Sequence, residues 1–110
     1  MKFINLTPHD ITVVLVDSDT QSNRSRIFHK SDTIARVSQV STMVEFIDEV
    51  AIRAVKFGPV TGLPQPTDGI KYIVSAMVKS ASAGRTDLVS PGDLIRDASG
   101  NVIGCKGFFC

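Results

Sequence analysis

The apolar residues of this chain fall into short runs separated by turn-forming residues, a pattern typical of a strand-rich protein. Pro8 separates the first two runs, because proline has no backbone N–H to give to a sheet. The polar stretch Asp17–Ser25 predicts an exposed loop, and Ala98–Asn101 predicts the turn of a hairpin. The predicted strands are Phe3–Leu6, Ile11–Val16, Arg26–His29, Ile34–Val37, Ile70–Val74, Leu94–Asp97 and Val102–Cys105.

The stretch Thr42–Phe57 supports two interpretations. Its first half carries apolar residues at helical spacing, and Thr42 with Glu45 has the spacing of a capping box. Its second half, Val50–Phe57, alternates and contains β-branched residues, which favours a strand. We expect a hairpin that turns near Asp48–Glu49, and a helix is the alternative.

The spacing of apolar residues changes after the run that ends at Val74. The composition of Ala76–Ala83 predicts a helix of about two turns. Ser75 is a favourable residue for the N-cap of this helix, and Gly84 suits the position just beyond its end.

Two further stretches are rich in proline and glycine. Gly58–Pro66 predicts an irregular connector, and Pro91–Gly92 predicts a turn before the last hairpin. Together the elements predict one α+β domain over residues 1–110. Its sheet is expected to be small, strand-rich and mixed or antiparallel, with one or two short helices.

Composition narrows the class of protein. An apolar fraction of 43% and a charged fraction of 21% over 110 residues exclude a disordered chain. A net charge of +1 gives no general attraction to nucleic acid or membranes, and no apolar run approaches the roughly 20 residues of a membrane span. Cys105 and Cys110 are expected to be free thiols in a reducing cytosol. The sequence has no metal-ligand spacing and no glycine signature of a cofactor site, so neither is expected.

The strongest candidate site is the junction where Tyr72 and its strand meet the predicted helix. A helix N-terminus offers unpaired N–H groups and partial positive charge, which favour an anion such as phosphate. Ser75 adds a hydroxyl there, and the small Ala76 permits close approach. The alternative is that Ser75 only caps its helix.

Arg85, Thr86 and Asp87 follow the same helix and form a second candidate group. Arg85 has the planar fork that binds phosphate or carboxylate, and Asp87 could orient it or contact a sugar hydroxyl. The alternative is a solvated loop in which Arg85 merely complements the C-terminal end of the helix.

Thr7 and His9 flank Pro8 and form a third candidate group. His9 could contact a ligand or act as a general base. The alternative is that both residues satisfy backbone groups beside the proline. An enzyme would have His9, Asp87 and Cys105 as its working groups, but their spacing matches no catalytic signature.

Six segments are distinctive in combination: Ile4–His9, Gly58–Pro64, Tyr72–Ser75, Arg85–Gly92, Arg96–Asp97 and Ile103–Cys105. Together they resemble a group of short phage and prophage proteins that open with an Asn-Leu-Thr-Pro-His motif. The resemblance covers most of the chain outside Asp17–Ser25 and the middle stretch.

The resemblance implies a phage accessory factor that works in the cytoplasm of the infected bacterium. Small phage proteins of this kind include inhibitors of host defence, among them proteins that sequester nucleotide immune signals. By analogy, we expect a homo-oligomer that binds a phosphorylated, nucleotide-like small molecule without catalysis, and that binds neither nucleic acid nor membrane. The alternatives are a small enzyme that modifies such a ligand, and a protein–protein inhibitor or virion component.

Overall fold

A computed structural model of the protein describes residues 1–15 and 24–110. Val16 and the predicted loop up to residue 23 lie outside the described residues, whereas Arg24 and Ser25 belong to a strand rather than to a loop. Within these ranges the elements are β1 (Lys2–Asn5), β2 (Ile11–Leu15), β3 (Arg24–Phe28), β4 (Arg36–Ile47), β5 (Val50–Thr61), β6 (Ile70–Ile73), α1 (Ala76–Ala81), β7 (Leu88–Arg96) and β8 (Val102–Phe109).

Six of the described strands form one mixed sheet in the order β1-β6-β7-β8-β2-β3. β1, β6 and β7 run parallel to one another, and β2 runs parallel to β8. The pairs β7–β8 and β2–β3 are antiparallel. The predicted α+β class, with a strand-rich mixed sheet and one short helix, is therefore confirmed.

The sheet curls so that its two outer strands meet. A parallel bridge joins Asn5, at the end of β1, to Lys30, just beyond β3. Inside the curl, the rings of Phe3, Phe28 and Phe108 lie with their centroids 5.3–5.4 Å apart, in tilted and edge-to-face pairs. These apolar contacts give the curled sheet an interior of its own.

The main core lies between the sheet and α1. Alternation along β1 and β6 places Ile4 and Tyr72 on the face of the sheet that carries this core, and Leu6 and Val74 continue it. Val78 is the buried residue of α1 and joins the same cluster. The packing of a single helical residue into this cluster holds a helix too short to be stable alone.

The helix begins as predicted and ends two residues early. The Ser75 hydroxyl accepts a hydrogen bond from the Val78 N–H at 3.1 Å, which confirms Ser75 as the N-cap. The backbone leaves the helical conformation at Ser82, whose N–H donates to the Lys79 carbonyl. Gly84 follows with a φ of 97°.

β4 and β5 form a long antiparallel hairpin, which we call the arm (Arg36–Thr61). It turns at Asp48 and Glu49, whose φ values of 49° and 66° are those of a two-residue type I′ turn. The predicted hairpin is confirmed and the alternative helix is wrong. The β-branched residues of β5 outweighed the helical spacing in β4.

Several predicted boundaries are wrong. Gly58–Thr61 extends β5 instead of beginning the connector, and β4 begins at Arg36 rather than at Ile34. Pro91–Gly92 lies inside β7 and forms no turn. At that point β7 pairs only with β8, and a proline is tolerated where one side of a strand is unpaired.

Gly62 directly follows the arm, and a glycine is needed there for two reasons, the backbone conformation and the lack of space for a side chain. Its φ is 77°, and a Cβ at this position would collide with the Ile34 carbonyl. Gly69 has a φ of 80° but has open space around the same position. We therefore expect Gly62→Ala to lower the free energy of unfolding by about 3 kcal/mol and Gly69→Ala by about 1 kcal/mol.

Urea unfolding followed by far-ultraviolet circular dichroism measures both variants. Because the φ values of the two glycines differ by only 3°, the difference between the two variants isolates the collision with Ile34 from the conformational strain. Equal losses in the two variants would contradict the predicted contact.

Candidate functional site

The parallel pairing of β1 with β6 brings two of the predicted groups together. The carboxyl ends of parallel strands lie at the same edge of a sheet, and the Leu6 N–H donates to the Ile73 carbonyl at 2.8 Å just beyond β1. β1 then leads into the Thr7–Asp10 loop, and β6 leads into Ser75. Thr7, Pro8 and Ser75 consequently line two adjacent clefts.

The side-chain amide of Asn5 holds this loop in place. Its oxygen accepts hydrogen bonds from the Thr7 N–H at 2.9 Å and from the Thr7 hydroxyl at 2.6 Å. Its nitrogen donates to the carbonyls of His9 at 2.8 Å and Phe28 at 2.9 Å. Asn5 is only 3% exposed, and both donors and both acceptor positions of the amide are used.

The first cleft lies between the Thr7–Pro8 segment, the start of α1 and the base of the arm. It has a volume of about 650 Å³ and mostly apolar walls, to which Ile34 and Met77 contribute. Its polar lining consists of the hydroxyl residues Thr7, Ser38, Thr61 and Ser75 and of one cation, Arg36. This combination suits a ligand with an apolar part and an anionic group.

The second cleft lies on the other side of Thr7 and Pro8. It has a volume of about 480 Å³ and is lined by His9, Asp10 and Cys105 among apolar residues. Cys105 is only 1% exposed. The cleft therefore brings together two of the three groups named for an enzyme, but Asp87 does not line it.

The remaining residues of the predicted junction have structural surroundings. Tyr72 is 3% exposed and belongs to the main core, whereas Ala76 is exposed on α1. The Ser75 hydroxyl is already engaged as the helix cap, and α1 has only six residues. The junction therefore contributes to the clefts through Ser75 alone.

Arg85, Thr86 and Asp87 lie at the other end of α1 and line neither cleft. Arg85 forms a two-pronged ion pair with Asp87, at 2.8 and 2.7 Å, and donates a third hydrogen bond to the Pro64 carbonyl at 2.9 Å. Lys71 donates to the Thr86 carbonyl at 3.0 Å. The Arg85 fork, predicted for a ligand, thus holds the connector against the core.

Among the residues that the structure describes, two carboxyl groups have lowered pKa values. Hydrogen bonding to the Arg85 guanidinium lowers the pKa of Asp87 and raises that of Arg85. At the rim of the second cleft, the Lys30 N–H, at 2.8 Å, and then His29 lower the pKa of the exposed Asp10. Both carboxyl groups are therefore charged at neutral pH.

Sequence reasoning missed the contribution of the arm to the first cleft. Arg36 lies inside the predicted strand Ile34–Val37, Ser38 follows that strand, and the predicted connector contains Thr61. The predicted hairpin spans only Thr42–Phe57, whereas the observed one extends to the pair of Arg36 with Thr61. No local signal places that base beside Ser75.

In residues 1–15 and 24–110, no group of three or more His, Cys, Asp or Glu side chains is arranged to hold a metal ion. The helix found there is not long and apolar enough to cross a membrane.

Replacing Asn5 tests whether its amide holds the loop. Asn5→Ala leaves the Thr7 N–H without its partner and removes one donor each from the carbonyls of His9 and Phe28, although the Thr7 hydroxyl still donates to His9. We therefore expect the free energy of unfolding to fall by about 3 kcal/mol or more. Asn5→Asp keeps the shape but sets a carboxylate against two carbonyl oxygens, which raises its pKa. Its stability should therefore recover in part as the pH falls from 7 to 4, as measured by urea unfolding.

The same measurement on Asn5→Ala serves as the control, since alanine cannot titrate. A loss of unfolding free energy below 1 kcal/mol in Asn5→Ala would be inconsistent with the hydrogen bonds of the Asn5 amide. An unfolding free energy of Asn5→Asp that does not change with pH would be inconsistent with them too.

The Arg85–Asp87 pair predicts a specific pH dependence of stability. Because the pKa of Asp87 is lowered on folding, the pair stabilises the protein above about pH 4. This stabilisation is lost as the pH falls through the folded-state pKa of Asp87. The free energy of unfolding of the wild type should exceed that of Asp87→Asn by about 2 kcal/mol at pH 7, and this difference should vanish towards pH 2. Asp68→Asn, at an exposed position, is the matched control. A difference that stays constant with pH would refute this role.

Comparison of the chain with protein-family models, with curated proteins and with solved structures gave no match. The main feature of the candidate site is the first cleft, where the arm, the Thr7–Pro8 segment and Ser75 meet.

Proposed function

We propose that the protein binds and sequesters a phosphorylated, nucleotide-like small molecule in the first cleft, without catalysis. The observation that carries this proposal is the composition of the cleft, which combines apolar walls, hydroxyl residues and a single cation, Arg36. Its volume of about 650 Å³ lies within the range of small-molecule sites, roughly 300–1,000 Å³.

Each part of such a ligand has a matching part of the cleft. The Arg36 guanidinium can bind a phosphate through two parallel hydrogen bonds. The walls around Ile34 and Met77 suit the apolar face of a base, and the hydroxyls of Ser38 and Thr61 suit a sugar or phosphate oxygen. The Thr7 hydroxyl is already committed to Asn5, so it contributes mainly shape.

Binding is favoured over chemistry by the surroundings of the three groups named for an enzyme. Asp87 is held by Arg85, away from both clefts. His9 and Cys105 line the second cleft, but Cys105 is buried. A small enzyme that uses these groups is the alternative, and recovery of the ligand after binding distinguishes the two.

The biological setting of this proposal comes from the sequence resemblance. A phage accessory factor that captures a nucleotide immune signal would act in the cytoplasm of the infected bacterium. Such a factor would need no turnover, because removing the signal from solution is sufficient. A protein–protein inhibitor or virion component remains the alternative in the same setting.

Calorimetric titration with cyclic nucleotides and ADP-ribose derivatives tests the proposal. For a ligand that binds, Arg36→Gln should raise the Kd by about 10- to 100-fold, because it removes a charged hydrogen-bond donor. Arg96→Gln makes the same charge change at an exposed hairpin turn and should leave the Kd unchanged. His9→Ala changes the second cleft and should also have little effect.

The bound ligand is then recovered by denaturing the protein and identified by mass spectrometry. Intact ligand supports sequestration, and altered ligand supports the enzyme. The absence of binding to every compound in the panel, or equal affinities in Arg36→Gln and Arg96→Gln, would exclude this proposal for the first cleft.

A further inference from the structure

The arm is far more exposed than the rest of the described chain. Every residue from Ser38 to Phe57 is exposed, whereas the base of the arm packs on the core through Val37 and Val60. The outer edges of β4 and β5 pair with no other strand among the described residues. A two-stranded hairpin of this kind is only marginally stable in water without a cover.

Both faces of the arm carry large apolar side chains. Cross-strand partners share a face of a hairpin, so the register assigns these side chains to two sets. One face carries Met43, Phe46, Val55 and Phe57, and the other carries Val40, Ile47, Val50 and Ile52. All eight side chains are exposed, and their exposed fractions range from 39% at Ile52 to 66% at Phe46. An apolar patch of this extent marks an interaction surface.

The apolar surface of the arm is large and is divided between its two faces. With Val44 at the bulge, nine large apolar side chains are about half exposed on the arm. Together they offer on the order of 800 Å², so each face offers roughly half of the area that each partner contributes to a standard interface.

The charges of the arm identify the occupant. Its tip is acidic, with Glu45, Asp48 and Glu49, whereas Arg53 and Lys56 are basic and lie further along β5. At a rise of about 3.3 Å per residue, these two lie about 13 and 23 Å from Glu49. None of the five charged groups forms an ion pair within the described residues. The arm therefore carries an acidic patch at its tip and a basic patch further along β5. A second arm that runs in the reverse direction places its basic patch beside the acidic tip and its acidic tip beside the basic patch.

We infer that the protein forms a two-fold symmetric dimer through its arms. The arms lie side by side in opposite directions, so that the acidic tip of each contacts Arg53 and Lys56 of the other. Such an interface is self-complementary, because each contact occurs twice about the two-fold axis. Apolar burial supplies the affinity, and the charges set the direction and register. The inference does not depend on the proposed function.

Sedimentation velocity with charge-reversed variants tests this arrangement. Two chains of 11.9 kDa should sediment as a dimer of about 24 kDa. Glu45→Lys with Glu49→Lys gives the arm a net positive charge, with Asp48 as its remaining acidic residue, and Arg53→Glu with Lys56→Glu gives it a net negative charge. Each double variant should raise the dimer Kd by about tenfold or more at low salt, because both contacts become repulsive. Asp32→Lys with Asp68→Lys makes the same charge change on the body as the first double variant and is its matched control.

Mixing the two variants gives the decisive result. A basic arm and an acidic arm attract at both contacts, so the mixture should form a heterodimer that neither variant forms alone. Circular dichroism spectra and unfolding midpoints close to wild type show that the variants are folded. A monomeric wild type at 100 μM (roughly a hundredfold above a micromolar Kd), a dimer insensitive to both reversals, or variants that do not associate when mixed would each overturn the inference.

Discussion

The closure of the sheet at Asn5 is the constraint on which the site depends. This residue ends one outer strand, and its amide reaches the last carbonyl of the other outer strand, at Phe28. The same amide holds Thr7 and the His9 carbonyl. One side chain therefore joins the two edges of the sheet and shapes the loop that separates the two clefts. The backbone bridge to Lys30 and the rings inside the curl reinforce the closure.

The site follows from this closure together with the packing of the arm. Parallel pairing brings the end of β1 beside the start of α1, and the base of the arm packs on the core next to both. Arg36 thereby lines a cleft together with Thr7 and Ser75, which lie 29 and 39 residues away in sequence. The fork of Arg85, by contrast, is used within the fold. An arginine in a loop is a poor guide to a ligand when a carboxylate two residues away has the geometry to bind it.

The elements that depend on neighbouring residues could be predicted from the sequence. The features that depend on pairing between distant strands could not. The N-cap at Ser75, the turn at Asp48–Glu49 and the last hairpin were all predictable, because each depends on neighbouring residues. The site was only partly predictable. Thr7, His9 and Ser75 share clefts, whereas the part played by Arg36 required knowing where the arm packs. The position of Pro91 inside β7 could not be predicted from the sequence either, because it depends on which side of that strand is unpaired.

The order of the strands also has a kinetic consequence. The arm is a local hairpin, and hairpins form in about 1–10 μs. The sheet joins strands that are far apart in sequence, since β1 pairs with β6 and β2 pairs with β8. Domains dominated by such non-local contacts fold in milliseconds to seconds. During folding, the strands of the arm therefore pair and separate many times before the body closes, and refolding at high protein concentration favours association through the arms in that interval.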